Sequence, residues 1–266
     1  MKIGFVGLGD QGGPMPLRLL EAGHDVKVWA RRPEACAPFA DAGAKVAPDL
    51  QTLAEQSDWI GICVFDDAGV RQVCEAILPH MGRGGTIVVH STVHPQTCRD
   101  LAEQAAAKDL VFVDAPVSGG NVRAREGTLT IMVGSSEDAF AANAAILRAY
   151  ATTIVRTGEP GAGQAAKLVN NTLLAAHAAI AHAALQTSEQ LGLDRSGIIE
   201  IVNASSGRSY GFELFGAIGI TGFARVSSIF DKDVGLLAKN IAPDAPMRPV
   251  IALAEQLLDE LRPLAP

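Results

Sequence analysis

A chain of 266 residues, 48% hydrophobic and 19% charged, has enough apolar material for one large or two smaller packed domains, which excludes an intrinsically disordered protein. Its net charge of −7 excludes nucleic acid as the main partner, because a phosphate backbone requires a basic face. Gly, Pro or polar residues interrupt every long apolar run and no signal-like N-terminus is present, so we expect no association with membranes. The four cysteines lack CxxC spacing, which favours a reducing, cytoplasmic location.

The first part of the chain alternates between short apolar strands and helices. Strands are predicted at "KIGFVG", "DVKVWA", "DWIGICVF", "GTIVVH" and "LVFVD", with two more at "TLTIMVG" and "TTIVRTG". Segments such as "PMPLRLLEAG" and "PQTCRDLAEQAAAK" lie between them and read as helices. This alternation is typical of a doubly wound parallel sheet, and it predicts an α/β Rossmann domain over residues 1–158.

Beyond residue 158 the pattern becomes helical. The run "GQAAKLVNNTLLAAHAAIAHAALQTSEQLG" predicts one long helix that ends at a glycine. Three further helices are predicted at "DRSGIIEIVNAS", "DVGLLAKNIA" and "PVIALAEQLLDELR". We therefore expect a boundary near residues 158–161, an all-α domain over residues 159–266, and a long helix that joins the domains and packs against a second subunit.

Three glycines follow the first strand directly and precede the first helix. Gly7, Gly9 and Gly12 form GxGxxG, which in this context allows a tight turn and a close approach to the pyrophosphate of a dinucleotide. A glycine-rich turn without a ligand is the alternative.

The residues after the second strand indicate which dinucleotide is bound. An acidic residue there would bind a ribose 2′-hydroxyl, but the strand ends in Ala30, Arg31 and Arg32. Two guanidinium groups suit the 2′-phosphate of NADP, so we expect NADP(H), with NAD possible. The alternative is a solvated arginine pair that uses Glu34 as its partner.

The segment "DAPVSGG", residues 114–120, follows the strand "LVFVD" and should lie at the carboxyl edge of the sheet, where ligands bind. Ser118, Gly119 and Gly120 offer a hydroxyl and unhindered backbone N–H groups, which can hold a carboxylate. An ordinary glycine-rich turn would have the same composition.

An unusual stripe lies at the start of the long apolar helix. Gly163, Lys167 and Asn171 are spaced four apart, which places them on one face. Lys167 is one of seven lysines, and it falls at the expected domain junction, where clefts form. A solvated helix lysine is the alternative reading.

His90 and His94 have the H-x3-H spacing of a metal pair. They lie across a strand end and a proline rather than on a helix, so we expect no metal site.

Four segments together resemble the beta-hydroxyacid dehydrogenase family, which includes 3-hydroxyisobutyrate dehydrogenase and the tartronate semialdehyde and glyoxylate reductases. They are "GFVGLGDQGGPM", "DAPVSGGNVRAREGTLTIMVG", "GAGQAAKLVNN" and "DKDVGLLAKN", and they follow the family's order over nearly the whole chain. The resemblance implies hydride transfer between NADP(H) and a small 3-hydroxy acid or the matching semialdehyde, in a homodimer or homotetramer.

The same resemblance implies roles for individual residues. Lys167 would be the general acid/base and Asn171 would orient the substrate. The substrate, a small carboxylate, would be bound by Ser118, Gly119, Gly120 and Lys232. Val64, Ser91 and Thr92 would lie against the cofactor.

Two other functions use the same fold plan. An imine reductase shares the two domains, but such enzymes usually lack a lysine at the Lys167 position and the "DAPVSGG" segment. A non-catalytic NADPH-binding protein would bind the cofactor and turn over neither hydroxy acids nor semialdehydes.

Overall fold

A computed structural model describes residues 1–264. The chain divides into two compact units, the first covering residues 1–167 and the second beginning at Leu168. The predicted boundary near residues 158–161 lies a few residues earlier, at the start of the long helix.

The first unit contains one sheet, seven α-helices, a short 3-10 helix at Pro33–Cys36 and the first turns of a long eighth α-helix. Its strands are β1 Lys2–Val6, β2 Asp25–Trp29, β3 Lys45–Val46, β4 Trp59–Ile62, β5 Thr86–Val89, β6 Val111–Asp114, β7 Val117–Ser118, β8 Leu129–Gly134 and β9 Ala151–Gly158. Its helices are α1 Pro14–Glu21, α2 Ala37–Asp41, α3 Leu50–Glu55, α4 Asp67–Ile77, α5 Pro95–Ala106, α6 Gly120–Glu126 and α7 Glu137–Leu147.

Strands β1 to β6 are parallel and lie in the order β3-β2-β1-β4-β5-β6, which is the Rossmann order. Alternate residues along each strand enter two separate cores, as a sheet covered on both faces requires. Ile3 and Phe5 pack with α1 on one face, whereas Ile60 and Ile62 pack with α4 on the other. The predicted doubly wound α/β fold is therefore confirmed.

The sheet differs from the prediction at one edge, because β8 runs antiparallel to both β6 and β7. The chain continues in the same direction from β6 into β7, reverses through α6, and returns antiparallel as β8. Apolar patterning reports that a strand is buried but carries no information on its direction, so the sequence could not show this reversal.

The described residues of the second unit form helices joined by loops, with no strand among them. It comprises most of α8 Ala162–Gln190, followed by α9 Arg195–Ala204, α10 Tyr210–Ala224, α11 Ser227–Asn240 and α12 Arg248–Leu261. Helix α8 ends as predicted, since Gly192 adopts a φ of +73° and the Leu193 N–H donates to the Ser188 carbonyl. Sequence patterning missed α10, which bends at Gly219.

Helix α8 is also long and apolar enough to cross a bilayer, with a mean hydropathy of 1.2 over its most apolar window. Half of that window is buried within the protein. Buried Gln164, Lys167 and Asn171 lie on the same helix, which is typical of a core helix that carries part of a site.

Candidate active site

The loop between β1 and α1 has no room for side chains at two of its glycines. Gly7 adopts a φ of +99°, and a Cβ there would lie 2.0 Å from the Cys63 carbonyl oxygen. A Cβ at Gly12 would lie 2.0 Å from the carbonyl oxygen of Gly7. Backbone packing at the start of α1 therefore requires glycine at positions 7 and 12.

The same loop fits a dinucleotide. A Cβ at Gly9 would meet no atom within 4 Å, so the backbone there is open to a ligand. The Nε2 of Gln11 is buried and has no hydrogen-bond partner within residues 1–264. An open backbone and a buried unused donor at the amino end of a helix are suited to a pyrophosphate.

Arg31 and Arg32 lie just beyond β2, the strand next to β1. Both are exposed, and neither forms an ion pair with Glu34 or with any other residue in the described part of the chain. The structure thus leaves two cations at the place where the ribose of a dinucleotide would lie in this fold.

The loops after β4 and β5 are joined at the carboxyl edge of the sheet. The Val64 N–H donates to the Ser91 Oγ at 2.8 Å, and Ser91 is buried. Thr92 follows directly. The predicted strand "DWIGICVF" ends at Ile62, which leaves Val64 in the loop. The structure therefore brings Val64, Ser91 and Thr92 together.

The two histidines with metal-like spacing have separate structural roles. The Nδ1 of His90 lies 2.8 Å from the Ala115 carbonyl oxygen, and its Nε2 lies 3.1 Å from the Tyr150 hydroxyl. Burial lowers the pKa of His90 to about 4. The Nδ1 of His94 accepts from the Gln96 N–H at the start of α5. Residues 1–264 contain no cluster of His, Cys, Asp and Glu suited to a metal ion.

The "SGG" turn lies open at the end of β7. Ser118 is half-buried and pairs with Thr130 of β8. Gly119 and Gly120 are exposed and adopt φ values of +130° and +66°. A Cβ at Gly120 would meet no atom within 4 Å, so a ligand can approach the backbone there.

A link between the two glycine-rich loops was not predicted. The Nδ2 of Asn121, directly after the "SGG" turn, donates to the Asp10 Oδ1 at 2.8 Å. Asp10 belongs to the loop after β1. Nothing in the spacing of two polar residues 111 positions apart could have indicated this contact.

The Lys167 side chain is only 8% exposed, which excludes the solvated interpretation of this lysine. Within the second unit, the Nδ2 of buried Asn171 donates to the Asp233 Oδ2 at 2.6 Å. The Nζ of Lys232 lies 3.3 Å from the Asp233 Oδ1. Asp233 is fully buried, so it joins two predicted site residues although sequence reasoning did not select it.

These features define a class of protein: a dinucleotide-binding Rossmann oxidoreductase with a buried lysine on the helix after the sheet. A family model described as the NAD-binding domain of 6-phosphogluconate dehydrogenase matches residues 2–158. A second, described as the NAD-binding region of NADP-dependent 3-hydroxyisobutyrate dehydrogenase, matches residues 161–264. The chain belongs to the beta-hydroxyacid dehydrogenase family.

Relatives of known name support this family membership. The 3-hydroxyisobutyrate dehydrogenase of Pseudomonas aeruginosa is 33% identical, over 96% of this chain and 90% of its own length. The human mitochondrial 3-hydroxyisobutyrate dehydrogenase is 35% identical, over 81% of this chain and 65% of its own length.

Similar solved structures also support membership of this family. The Mycobacterium tuberculosis 3-hydroxyisobutyrate dehydrogenase with L-serine superposes with a TM-score of 0.88 at 26% identity, over 97% of this chain and 92% of that one. An imine reductase from a Pseudomonas species has a TM-score of 0.59 at 19% identity, over 98% and 92%, and shares the fold alone. The protein is thus a hydroxyacid dehydrogenase-type, nicotinamide-dependent oxidoreductase that acts on a CH–OH donor.

Proposed function

We propose that this protein is an NADP-preferring dehydrogenase that interconverts a small 3-hydroxy acid and the corresponding semialdehyde. The observation that carries the proposal is the burial of Lys167 on the first turns of α8, a helix anchored at the carboxyl edge of the Rossmann sheet. Ligands bind at this edge in the fold, and a buried ammonium there is available to a bound ligand rather than to bulk solvent.

The chain's residues fit the cofactor in two places. The open backbone at Gly9 and the unused donor of Gln11 would receive the pyrophosphate. Arg31 and Arg32 would bind the 2′-phosphate that distinguishes NADP from NAD. The family model for an NADP-dependent enzyme supports the same preference. When bound, the cofactor supplies or accepts the hydride.

Lys167 would carry out the proton transfer. Hydride addition to a carbonyl carbon leaves negative charge on the oxygen, so a positioned acid must supply a proton. The Lys167 ammonium would donate it, and the neutral amine would accept it in the reverse direction. Asn171 lies one helical turn further along the same face, and its bond to Asp233 holds the amide in one orientation.

The substrate carboxylate would be bound by Ser118 together with the backbone of Gly119 and Gly120. The hydroxyl is half-buried, and both glycines are exposed in conformations that other residues rarely adopt. The family resemblance assigns Lys232 of α11 to the same substrate. A cationic side chain, a hydroxyl and backbone N–H donors all favour a carboxylic acid over a neutral alcohol.

A homodimer or homotetramer in the cytoplasm remains our proposal for the assembly. Val169, Leu173 and Ile180 are exposed apolar residues on one stripe of α8, and a second subunit would cover them. Light scattering after size-exclusion chromatography measures the mass in solution, and a monomer would contradict this part of the proposal.

The central test is a substrate panel followed by the absorbance of NADPH and NADH. It contains small semialdehydes, 3-hydroxy acids and a cyclic imine. Turnover of semialdehydes and hydroxy acids supports the proposal. Reduction of the imine alone would establish an imine reductase, and cofactor binding without any turnover would establish a non-catalytic protein.

A double variant tests the cofactor preference. Arg31→Gln with Arg32→Gln should weaken NADPH binding by roughly 10 to 10³-fold and leave NADH nearly unchanged, because one or two charge-assisted bonds contribute about 1.5–3 kcal/mol each before screening. The matched control is Arg83→Gln with Lys108→Gln, which removes the same charge just before β5 and β6, at the amino edge of the sheet. Equal kcat/KM for both cofactors in the unmodified protein would refute the preference.

A further inference from the structure

The start of α8 is anchored by a carboxylate to which the proposed reaction assigns no role. Asp114 ends β6 and is fully buried. Its Oδ1 accepts from the Gly161 N–H at 2.6 Å, and its Oδ2 accepts from the Gln164 N–H at 2.9 Å. Asp114 therefore satisfies backbone donors that the first turn of a helix cannot satisfy itself.

A second anchor is the side chain of Gln164, which is also fully buried. Its Oε1 accepts from the Val93 N–H at 3.0 Å, and its Nε2 donates to the Ser91 carbonyl oxygen at 2.9 Å. The one amide thus bonds to the backbone on both sides of Thr92. The helix start is tied to the loop after β5 as well as to the end of β6.

Close packing leaves this helix start little freedom to shift. A Cβ at Gly163 would lie 2.5 Å from the Met132 carbonyl oxygen and 2.8 Å from the Asp114 Oδ2. A Cβ at Gly134 would lie 2.2 Å from the Asp114 Oδ1. No side chain fits at either glycine, so the backbone at the start of α8 packs directly against β8 and Asp114. The hydrogen bonds of Asp114 and Gln164 fix the orientation of this first turn.

We propose that Gln164, supported by Asp114, is a positioning residue that sets the location of the Lys167 amine relative to the loop containing Ser91 and Thr92. The inference rests on the proposed role of Lys167 as the proton-transfer group. Lys167 lies three residues after Gln164, about 4.5 Å further along a stiff helix. A shift of the first turn is therefore passed on to Lys167.

A purely structural role is the competing explanation, since any buried amide with two hydrogen bonds stabilises a fold. The chain offers a matched control in Asn143 of α7. This amide is also buried, accepts from the Trp59 Nε1 at 2.8 Å and donates to the Ala139 carbonyl at 2.8 Å. It has no place in the proposed reaction.

The experiment compares Gln164→Leu, Gln164→Glu and Asn143→Leu with the unmodified protein in single-turnover stopped-flow reactions. Enzyme, NADPH and a semialdehyde selected by the substrate panel are mixed, and the absorbance of NADPH is followed. The amplitude is proportional to the concentration of folded, active enzyme. The rate constant reports how fast the active molecules react, and it therefore depends on the placement of the reacting groups.

Misplacement of a reacting group by about 1 Å can cost about 10²-fold in rate. We therefore expect Gln164→Leu to lower the single-turnover rate constant about 10²-fold. Gln164→Glu keeps the acceptor for the Val93 N–H and should lower the constant less. NADPH affinity, measured by fluorescence, should change less than threefold. Asn143→Leu should lower the amplitude or the melting temperature and keep the wild-type rate constant.

Rate constants within twofold of wild type in both Gln164 variants would overturn the inference, as would an equal loss of rate in Asn143→Leu. If the unmodified protein turns over no member of the panel, the proposed function itself fails. If it does turn over a semialdehyde and the Gln164 variants keep its rate constant, only the positioning role fails.

Discussion

His90 should make the stability of this protein depend on pH, although it takes no part in the proposed reaction. The imidazole is 2% exposed and lies between the Ala115 carbonyl and the Tyr150 hydroxyl. A carbonyl only accepts, so the Nδ1 must carry the proton and the Nε2 must accept from Tyr150. This network is complete only when the imidazole is neutral.

The magnitude follows from the pKa of His90, which burial lowers from 6.5 to about 4. In the unfolded chain the group is protonated below about pH 6.5, whereas in the folded protein it resists protonation down to about pH 4. The stability that His90 contributes is therefore present above pH 6.5 and is lost as the pH falls towards 4. At about 1.36 kcal/mol per pH unit, the total loss is about 3 kcal/mol.

The assay is urea unfolding, followed by circular dichroism, at pH values between 4 and 8. His90→Asn removes the titrating group and keeps a donor for the Ala115 carbonyl. The stability advantage of the unmodified protein over this variant should shrink by about 3 kcal/mol between pH 6.5 and 4. Tyr150→Phe is the control, because it removes the hydroxyl and leaves the imidazole. Parallel curves for the unmodified protein and His90→Asn would refute the reasoning.

Four further outcomes are expected. Lys167→Ala should lower kcat by about 10² to 10⁴-fold with NADPH affinity within twofold, and near wild-type turnover would exclude Lys167 as the acid. Ser118→Ala should raise KM for carboxylate substrates by about 10 to 10²-fold, equivalent to a charged hydrogen bond, and an unchanged KM for several acids would place the carboxylate elsewhere. Gly163→Ala should reduce the free energy of unfolding by about 1–3 kcal/mol in urea because its Cβ would meet the Met132 carbonyl, and equal stability would contradict that close approach. Burial raises the pKa of Asp114 to about 6, so the stability of the unmodified protein relative to Asp114→Asn should fall by about 3 kcal/mol as the pH rises from 4 to 6, and a constant difference would contradict this.

The Rossmann fold could be predicted from the sequence because its pattern of strands, turns and helices is contained in short segments of the chain. Most apolar strands of this domain are followed by a helix, and Gly7 and Gly12 are required by the turn between the first pair. Helix α10 was missed because glycines interrupt its apolar face, and one of them bends the helix. Strand β8 was recognised as a strand, but its antiparallel direction depends on how the chain returns from β6.

The site was only partly predictable from sequence, and the reason is distance along the chain. Chemically reactive residues such as Lys167 stand out by type and spacing. Their partners do not, because Asp114 meets the start of α8 at a separation of 50 residues and Asp233 meets Asn171 at a separation of 62. An aspartate in a "VFVD" or "DKDV" segment looks ordinary until the fold brings its partner to it.

Helix α8 is unusually apolar, yet three buried polar side chains lie on one of its stripes. We interpret each of them as having a different role. Gln164, Lys167 and Asn171 are spaced three and four residues apart. Neither amide exchanges protons readily near neutral pH, so of the three only Lys167 can act as an acid and a base. Gln164 uses its amide to hold the loop around Thr92, and Asn171 uses its amide on Asp233. The lysine therefore lies, along the helix, between two side chains whose orientation hydrogen bonds have already fixed. This arrangement would suit its proposed role as a proton donor, because the amine could meet a reacting oxygen without reorganisation.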